Sequence, residues 1–382
     1  MKPRLQRIAA ASLLLKSSRT LWKAPVVHPR PALNQVPNYI LQTAGNNEIV
    51  INTTRSFQTS SSHMPVKKKD QLQEEEEKEQ QVTVPKDYQF IAYAAWHPKS
   101  RQPTTKQSNI PYWKQIHRTG KVDAGEDAFF QTTTPEGLAI GVADGVGGWS
   151  TVGVDPALFS WTLMDNAAMV AKNQRVVDAH QILDRAFYKL RKSGKVAAGS
   201  STACILNLSK TTGEMTSCNL GDSAFLLVRD KKIVYESPSQ QHYFNCPYQL
   251  TVVPDSYPNR DKLVIDLPKD ADTKKFYLKN GDLILLATDG YFDNMYSDET
   301  LDIINTRMES IEDQDPELVK TAIRGLAKTL TEKARRLSLD PKRLSPWAKA
   351  AQAHGSNYRG GKVDDITCIV TLVCHNKLHG VL

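Results

Sequence analysis

The chain reads as an α+β fold in which antiparallel sheets are covered by helices. Three observations predict this. Short apolar or alternating runs recur at hairpin and meander spacing; two pairs of longer segments carry apolar positions at helical spacing; and strands and helices come in blocks, without regular β-α-β alternation. With 382 residues the chain can hold one large domain and a tail, or two domains.

The first 57 residues stand apart in charge. They contain eight Lys/Arg and one acid, Glu48, so +7 of the formal +8 lies there and only +1 remains for the rest. That leaves no pervasive basic surface to follow a phosphate backbone, and nucleic acid is excluded as the expected partner. Arg4, Leu5, Arg7, Ile8 and Ser12 fit a short basic amphipathic helix, and Arg55-Ser56-Phe57 resembles a matrix-processing site. The expectation is a mitochondrial presequence over 1–57. A secretory signal competes, because 8–15 is mostly apolar. Against it, Lys16 and Arg19 follow at once and no Ala-x-Ala site appears. Residues 58–86 are polar, with Lys67-Lys68-Lys69 ahead of Glu74 to Glu77, and read as a solvated linker. The five cysteines contain no Cys-x-x-Cys pair and favour a reducing compartment. No apolar run approaches the ~20 residues that a membrane span needs.

The folded domain is expected from about Tyr88, with the boundaries 87–378 and a short tail at 379–382. Residues 127–132 read as a strand, 134–137 as a turn and 138–143 as the returning strand. A hairpin centred between Pro135 and Glu136 pairs positions that sum to 271, so Asp127 faces Asp144 across its open end. Facing carboxylates at ~4.5–5.5 Å repel, and a bound cation reverses that penalty. Asp155-Pro156 opens a helix to about Lys172, and a second runs over 178–193 and stops at Gly194. A meander follows at 202–208, 214–220, 224–229 and 233–236, and then 237–258 reads as an irregular loop. Strands are expected at 263–266 and 275–278. Asn280-Gly281 then turns into 283–287, which ends in Thr288-Asp289-Gly290. Helices are expected at 297–309 and 315–337, and a last buried run at 366–373 is headed by Asp364-Asp365.

Acids therefore stand at the mouths of three apolar strands: Asp144, Asp289 and Asp364. No His/Cys spacing suits zinc, and hard oxygen donors select Mg²⁺ or Mn²⁺. No phosphate-binding glycine loop, Gly-x-Ser-x-Gly elbow or Cys-x5-Arg nucleophile loop occurs.

The motifs DGVGGW (144–149), SSTACIL (200–206), LGDSAF (220–225), ATDGYFDNM (287–295) and GGKVDDITCIV (360–370) resemble, in order, those of the metal-dependent type 2C protein serine/threonine phosphatases. HYFNCPYQL (242–250) and SPWAKAA (345–351) resemble the mitochondrial branch. The resemblance implies two packed antiparallel β-sheets flanked by antiparallel helix pairs, with a binuclear Mn²⁺/Mg²⁺ centre at one edge. By motif, Asp144 bridges both ions, the Gly145 carbonyl binds one, and Asp289 and Asp364 complete the other. Glu126 and Asp127 match the family's Glu-Asp pair and bind metal or its water. Asp222 and Asp293 match positions of a weaker third ion, with a turn carboxylate and a helix cap as their structural readings. Asp365 is a neighbour of the ligands, in a register uncertain by one residue. Asp144, Asp289 and Asp364 are the residues expected to carry catalysis, through a metal-bridging water that attacks the phosphoryl group.

The chain also departs from the family. Val146 stands where many relatives have a His, and metal-bound water, His117 or His242 are the candidate proton donors. Arg118 and Lys121 are candidates for phosphate binding or are ordinary surface charges. Ala224 follows Gly-Asp-Ser where relatives often have Arg. The expected function is hydrolysis of phosphoserine and phosphothreonine in mitochondrial matrix proteins by a monomer. By the resemblance, the substrates are metabolic proteins, ubiquinone-synthesis components among them. The competing reading is a non-catalytic phosphoprotein-binding module on the same fold.

Overall fold

Strands that are apolar at every position need cover on both faces, and that requirement organises the computed structural model. It describes residues 87–99, 122–173, 178–257, 260–309 and 315–375. The presequence, the linker, the C-terminal tail, His117, Arg118 and Lys121 lie outside the described residues.

In chain order the strands are β1 (Tyr88–His97), β2 (Asp127–Thr134) and β3 (Gly137–Asp144), followed by helices α1 (Pro156–Asn173) and α2 (Ala179–Ser193). Then come β4 (Gly199–Ser201), β5 (Ala203–Ser209), β6 (Glu214–Leu220), β7 (Ala224–Arg229) and β8 (Lys232–Glu236). The short strands β9 (Gln241–Tyr243), β10 (Cys246–Pro247) and β11 (Leu250–Val252) precede β12 (Asp272–Tyr277) and β13 (Leu283–Ala287). Helices α3 (Asp289–Phe292), α4 (Ser297–Met308), α5 (Pro316–Ser338) and α6 (Pro346–Ala353) lead to β14 (Ile366–His375).

Two five-stranded antiparallel sheets result, ordered β12-β6-β5-β3-β2 and β1-β14-β13-β7-β8. Side chains alternate between their faces with period two. Ile140, Val142, Leu206, Phe225, Ile284, Leu286 and Ile369 meet between the sheets. The alternate positions Ala139, Ala143 and Ile205 pack under Phe159, Leu163, Ile182 and Leu183 of α1 and α2. On the other side, Leu285, Ala287 and Val370 pack under Ile304 of α4 and Ile323, Leu326 and Leu330 of α5. The four layers confirm the expected α+β architecture, and each buried Leu or Ile contributes about 1.5–3 kcal/mol. Among the described residues no helix is long and apolar enough to cross a membrane.

Local chemistry sets the element ends. Asp178 accepts a hydrogen bond from Gln181 N at 2.7 Å, and Gly194 ends α2 in the left-handed conformation (φ 62°). Asp315 caps α5 through Glu317 N at 2.8 Å, with Pro316 in the first turn. The hairpin register matches the expectation at every pair, from Thr134 opposite Gly137 to Asp127 opposite Asp144.

Three expectations need correction. Residues 263–266 form no strand: a 3-10 turn covers Arg260–Lys262, and only Asp266 makes an isolated bridge, to Leu250. Ile265 is 38% exposed, so this apolar run has no sheet face to pack on. The stretch 237–258 is not wholly irregular, because β9 pairs with β10 and β11 pairs with β4. Helix α6 was not foreseen. Its signal was Ser345-Pro346, the cap-plus-proline pattern that opens α1 and α5, and Ser345 Oγ accepts from Ala348 N at 3.0 Å.

Asp282 is a structural acid that the sequence did not single out. It is buried at the start of β13, and its carboxylate accepts from Arg229 Nε (2.7 Å), Arg229 Nη2 (2.6 Å) and Lys279 N (2.7 Å). Asp282→Ala leaves the guanidinium half-satisfied. We expect about 1–3 kcal/mol of lost stability in urea denaturation, because a buried acceptor of three hydrogen bonds is removed while Arg229 stays partly solvated.

Candidate active site: a carboxylate centre at one edge of both sheets

Antiparallel pairing brings the acids together. The end of β3 faces the start of β2, and Ala287 at the end of β13 pairs with both Cys368 near the start of β14 and Ala224 at the start of β7. His97 at the end of β1 pairs with Ile366. Every acid just outside these strand ends therefore falls at one edge: Glu126, Asp127, Asp144, Asp222, Asp289, Asp293, Asp364 and Asp365. A hydrogen bond from Thr288 Oγ1 to Asp127 Oδ2 (2.8 Å) ties the two sheets together there.

The SSTACIL motif holds Asp144. Thr202 Oγ1 accepts from Asp144 N (3.0 Å), while Thr202 N and Ser201 Oγ donate to Asp144 O (3.0 and 2.8 Å). Gly145 N donates to Glu126 O (3.1 Å), which locks the loop of the Glu-Asp pair onto the DGVGGW loop. A Cβ on Gly145 would meet the Pro156 carbonyl oxygen at 2.5 Å, so the close approach requires glycine. Trp149 anchors the far side through Ser200 Oγ (2.7 Å).

Backbone amides hold the Asp365 carboxylate. Its Oδ1 accepts from Lys99 N (2.7 Å) and its Oδ2 from Glu126 N (2.8 Å). Asp293 closes α3 at its C-terminal end rather than capping a helix N-terminus, and its carboxylate meets Lys362. Asp222 has one buried oxygen, Oδ1, without a hydrogen-bond partner. His242 is engaged through Nε2 by Asp266 (2.9 Å), and its ring stacks on Tyr248.

Two lysines among the acids escaped the sequence reading. Lys362 Nζ lies 2.6 Å from Asp289 Oδ2, 2.6 Å from Asp293 Oδ2 and 3.2 Å from Asp364 Oδ2. Lys99 Nζ lies 2.6 Å from Glu126 Oε2, 3.2 Å from Asp364 Oδ1 and 3.4 Å from Asp365 Oδ2. Lys362 had a signal in its position two residues before Asp364; Lys99, after His97-Pro98, had none.

The charges are strained. Burial pushes the carboxyl of Asp144 up, and the charges of Asp289, Asp127 and Asp364 add to it. Asp127 is raised by burial and by Asp365, and Asp222 by burial, Asp289 and Asp293. Burial lifts Asp293 to about 7 against the opposing pull of Lys362. Burial works on Asp364 in the same sense, but Lys362 and Lys99 overcome it and hold this carboxyl below the usual range. Among the described residues, no three His, Cys, Asp or Glu side chains are preset at metal-holding geometry. The donors nevertheless suit a hard divalent ion. They are all oxygen, and Asp127 Oδ1, Asp222 Oδ1 and Asp289 Oδ1 are buried without partners.

The family model described as Stage II sporulation protein E (SpoIIE) matches residues 134–338. The X-ray structure of the photosystem II phosphatase PBCP superposes with a TM-score of 0.56 at 28% identity, covering 74% of this chain and 98% of that one. The chain belongs to this SpoIIE/type 2C family of protein phosphatases. Within the family it is similar to the human protein named "Protein phosphatase PTC7 homolog", at 40% identity over 256 residues, covering 65% of this chain and 79% of the relative. It is also similar to the "5-azacytidine resistance protein azr1" of Schizosaccharomyces pombe (strain 972 / ATCC 24843), at 38% over 282 residues, covering 73% and 90%. The chain is a serine/threonine protein phosphatase.

Proposed function

We propose that the chain hydrolyses phosphoserine and phosphothreonine esters of mitochondrial matrix proteins with Mn²⁺ or Mg²⁺ as cofactor. Two ions are held by Asp144, the Gly145 carbonyl, Asp289, Asp364, Glu126 and Asp127. The observation that carries this reading is the pair of buried Asp127 and half-buried Asp144, in direct cross-strand register, with Asp289 raising the Asp144 carboxyl further. Such a cluster is unfavourable unless cations sit in it. When bound, two divalent ions supply an activated water and neutralise phosphoryl oxygens.

The residues present do the rest. Ser201, Thr202 and Glu126 fix the Asp144-Gly145 backbone, so its carboxylate needs little reorganisation during reaction. Lys99, exposed at the rim and paired with Glu126, Asp364 and Asp365, is the positive charge an incoming anionic ester would meet there. Val146 brings no proton to the leaving alkoxide. A binding-only module is disfavoured, because a site freed from catalysis gains nothing from mutually repelling acids.

A Mn²⁺ titration of phosphopeptide hydrolysis tests the reading. Turnover is expected to vanish under chelation and return with Mn²⁺; metal-independent turnover would contradict it. The acids add a pH signature. Asp293 holds its proton in the folded chain up to about 7 but loses it near 3.8 when unfolded, so metal-free stability falls as pH rises between these values. The melting temperature under chelation should therefore decline across this window, less steeply in Asp293→Asn. The stabilisation that Mn²⁺ gives should grow over the same window, because ions displace protons.

The matrix location rests on the composition of 1–57. A fluorescent fusion of that segment is expected in mitochondria, and its exclusion would count against the location. Metabolic matrix proteins, including ubiquinone-synthesis components, are the substrates this reading carries.

A further inference from the structure

We propose that Lys362 is a tethered cation that stands in place of a third metal ion, so that the centre works with two divalent ions and one ammonium. The inference rests on the two-ion reading above and departs from the weaker third ion that the family resemblance assigns to Asp222 and Asp293. An ammonium has three N–H donors, and Lys362 meets three carboxylates: Asp289 and Asp293 at 2.6 Å each and Asp364 at 3.2 Å. Asp293 is thereby committed to a charge that belongs to the chain.

The placement is built in. Asn294, fully buried beside Asp293, clamps the backbone of Lys362 from both sides. Its Oδ1 accepts from Lys362 N at 2.9 Å, and its Nδ2 donates to Lys362 O at 2.8 Å and to Gly290 O at 2.9 Å. The Gly290 contact places the clamp on the same turn that carries Asp289 and Asp293. The lysine is thus stapled to the acids it neutralises, which a surface lysine folding into an anionic cleft would not require. Burying an ammonium is unfavourable unless paired acids are already in place, and here they are. A fixed single charge also differs in function from an exchangeable ion: it cannot be lost when free divalent metal is scarce.

Equilibrium dialysis of the full-length protein against Mn²⁺, with bound ion counted per chain, tests the proposal. The wild type is expected to bind two ions, with no further weak class. Lys362→Met, unbranched and one atom shorter, removes the charge and should gain a third, weakly held ion. Lys362→Arg should return to two. Three ions in the wild type would overturn the proposal and leave the two-ion reading standing, whether or not the variants fold. An unchanged count of two in a folded Lys362→Met protein would overturn it as well. A wild type that binds no ion would sink the two-ion reading itself, and this inference with it.

Discussion

Asp144→Asn is expected to lower phosphatase turnover by about 10³-fold or more while leaving the metal-free protein at least as heat-stable as the wild type. The two effects have separate causes. The hydrogen bonds that fix residue 144 run through its backbone to Thr202 and Ser201, and an isosteric amide keeps them. The side chain, by contrast, sits among Asp127, Asp289 and Asp364, whose charges raise its pKa along with burial. Removing one charge relieves that repulsion, so chelated Asp144→Asn should melt at or above the wild-type temperature. The same removal takes away the acid proposed to hold both ions. Asp289→Asn should lose activity similarly but without a gain in stability, because Asp289 pairs with Lys362 at 2.6 Å. Turnover of Asp144→Asn within about ten-fold of wild type would contradict the role given to it.

Gly290→Ala is the second large effect. A Cβ at this position would stand 1.9 Å from the carbonyl oxygen of Asp365, 2.9 Å from its carbonyl carbon and 3.3 Å from Asp364 Cβ. The obstacle is backbone, so no side-chain rotation relieves it. Either α3 or the Asp364-Asp365 loop must move, and both carry acids of the centre. Overpacking of this kind costs about 1–3 kcal/mol, and a displacement near 1 Å at the reacting groups costs about 10²-fold in rate. Urea denaturation and phosphopeptide turnover should show both losses together. A variant that keeps wild-type stability and activity would mean that the two loops are not held in this close contact.

Much of this was legible in the sequence because it is local. A two-residue turn fixes a hairpin register, which is why Asp127 could be set opposite Asp144. Asp-Pro and Ser/Asp caps mark helix starts through backbone chemistry confined to a few residues, and the Asp-Gly strand ends at 144 and 289 follow from the same kind of pattern. What the sequence did not reveal depends on distant partners. Asp364 and Asp365 are adjacent and chemically alike; only the amides of Lys99 and Glu126, brought in by β1 and β2, tell the two carboxylates apart. Lys99 and Lys362 look like surface charges until strand pairing surrounds them with acids. The 263–266 run carries strand-like residues, yet no sheet face is available to it. Helix α6 escapes the sequence although its cap is local, because eight residues are too few for a helical repeat to stand out.

Anomalous diffraction at the manganese edge, from crystals grown with Mn²⁺, tests the two-ion centre proposed on Asp144. Two peaks are expected about 3.5–4 Å apart, with the Asp144 carboxylate between them and Asp289 and Asp364 on one of the ions. A single peak, or manganese bound without Asp144 as a ligand, would contradict it.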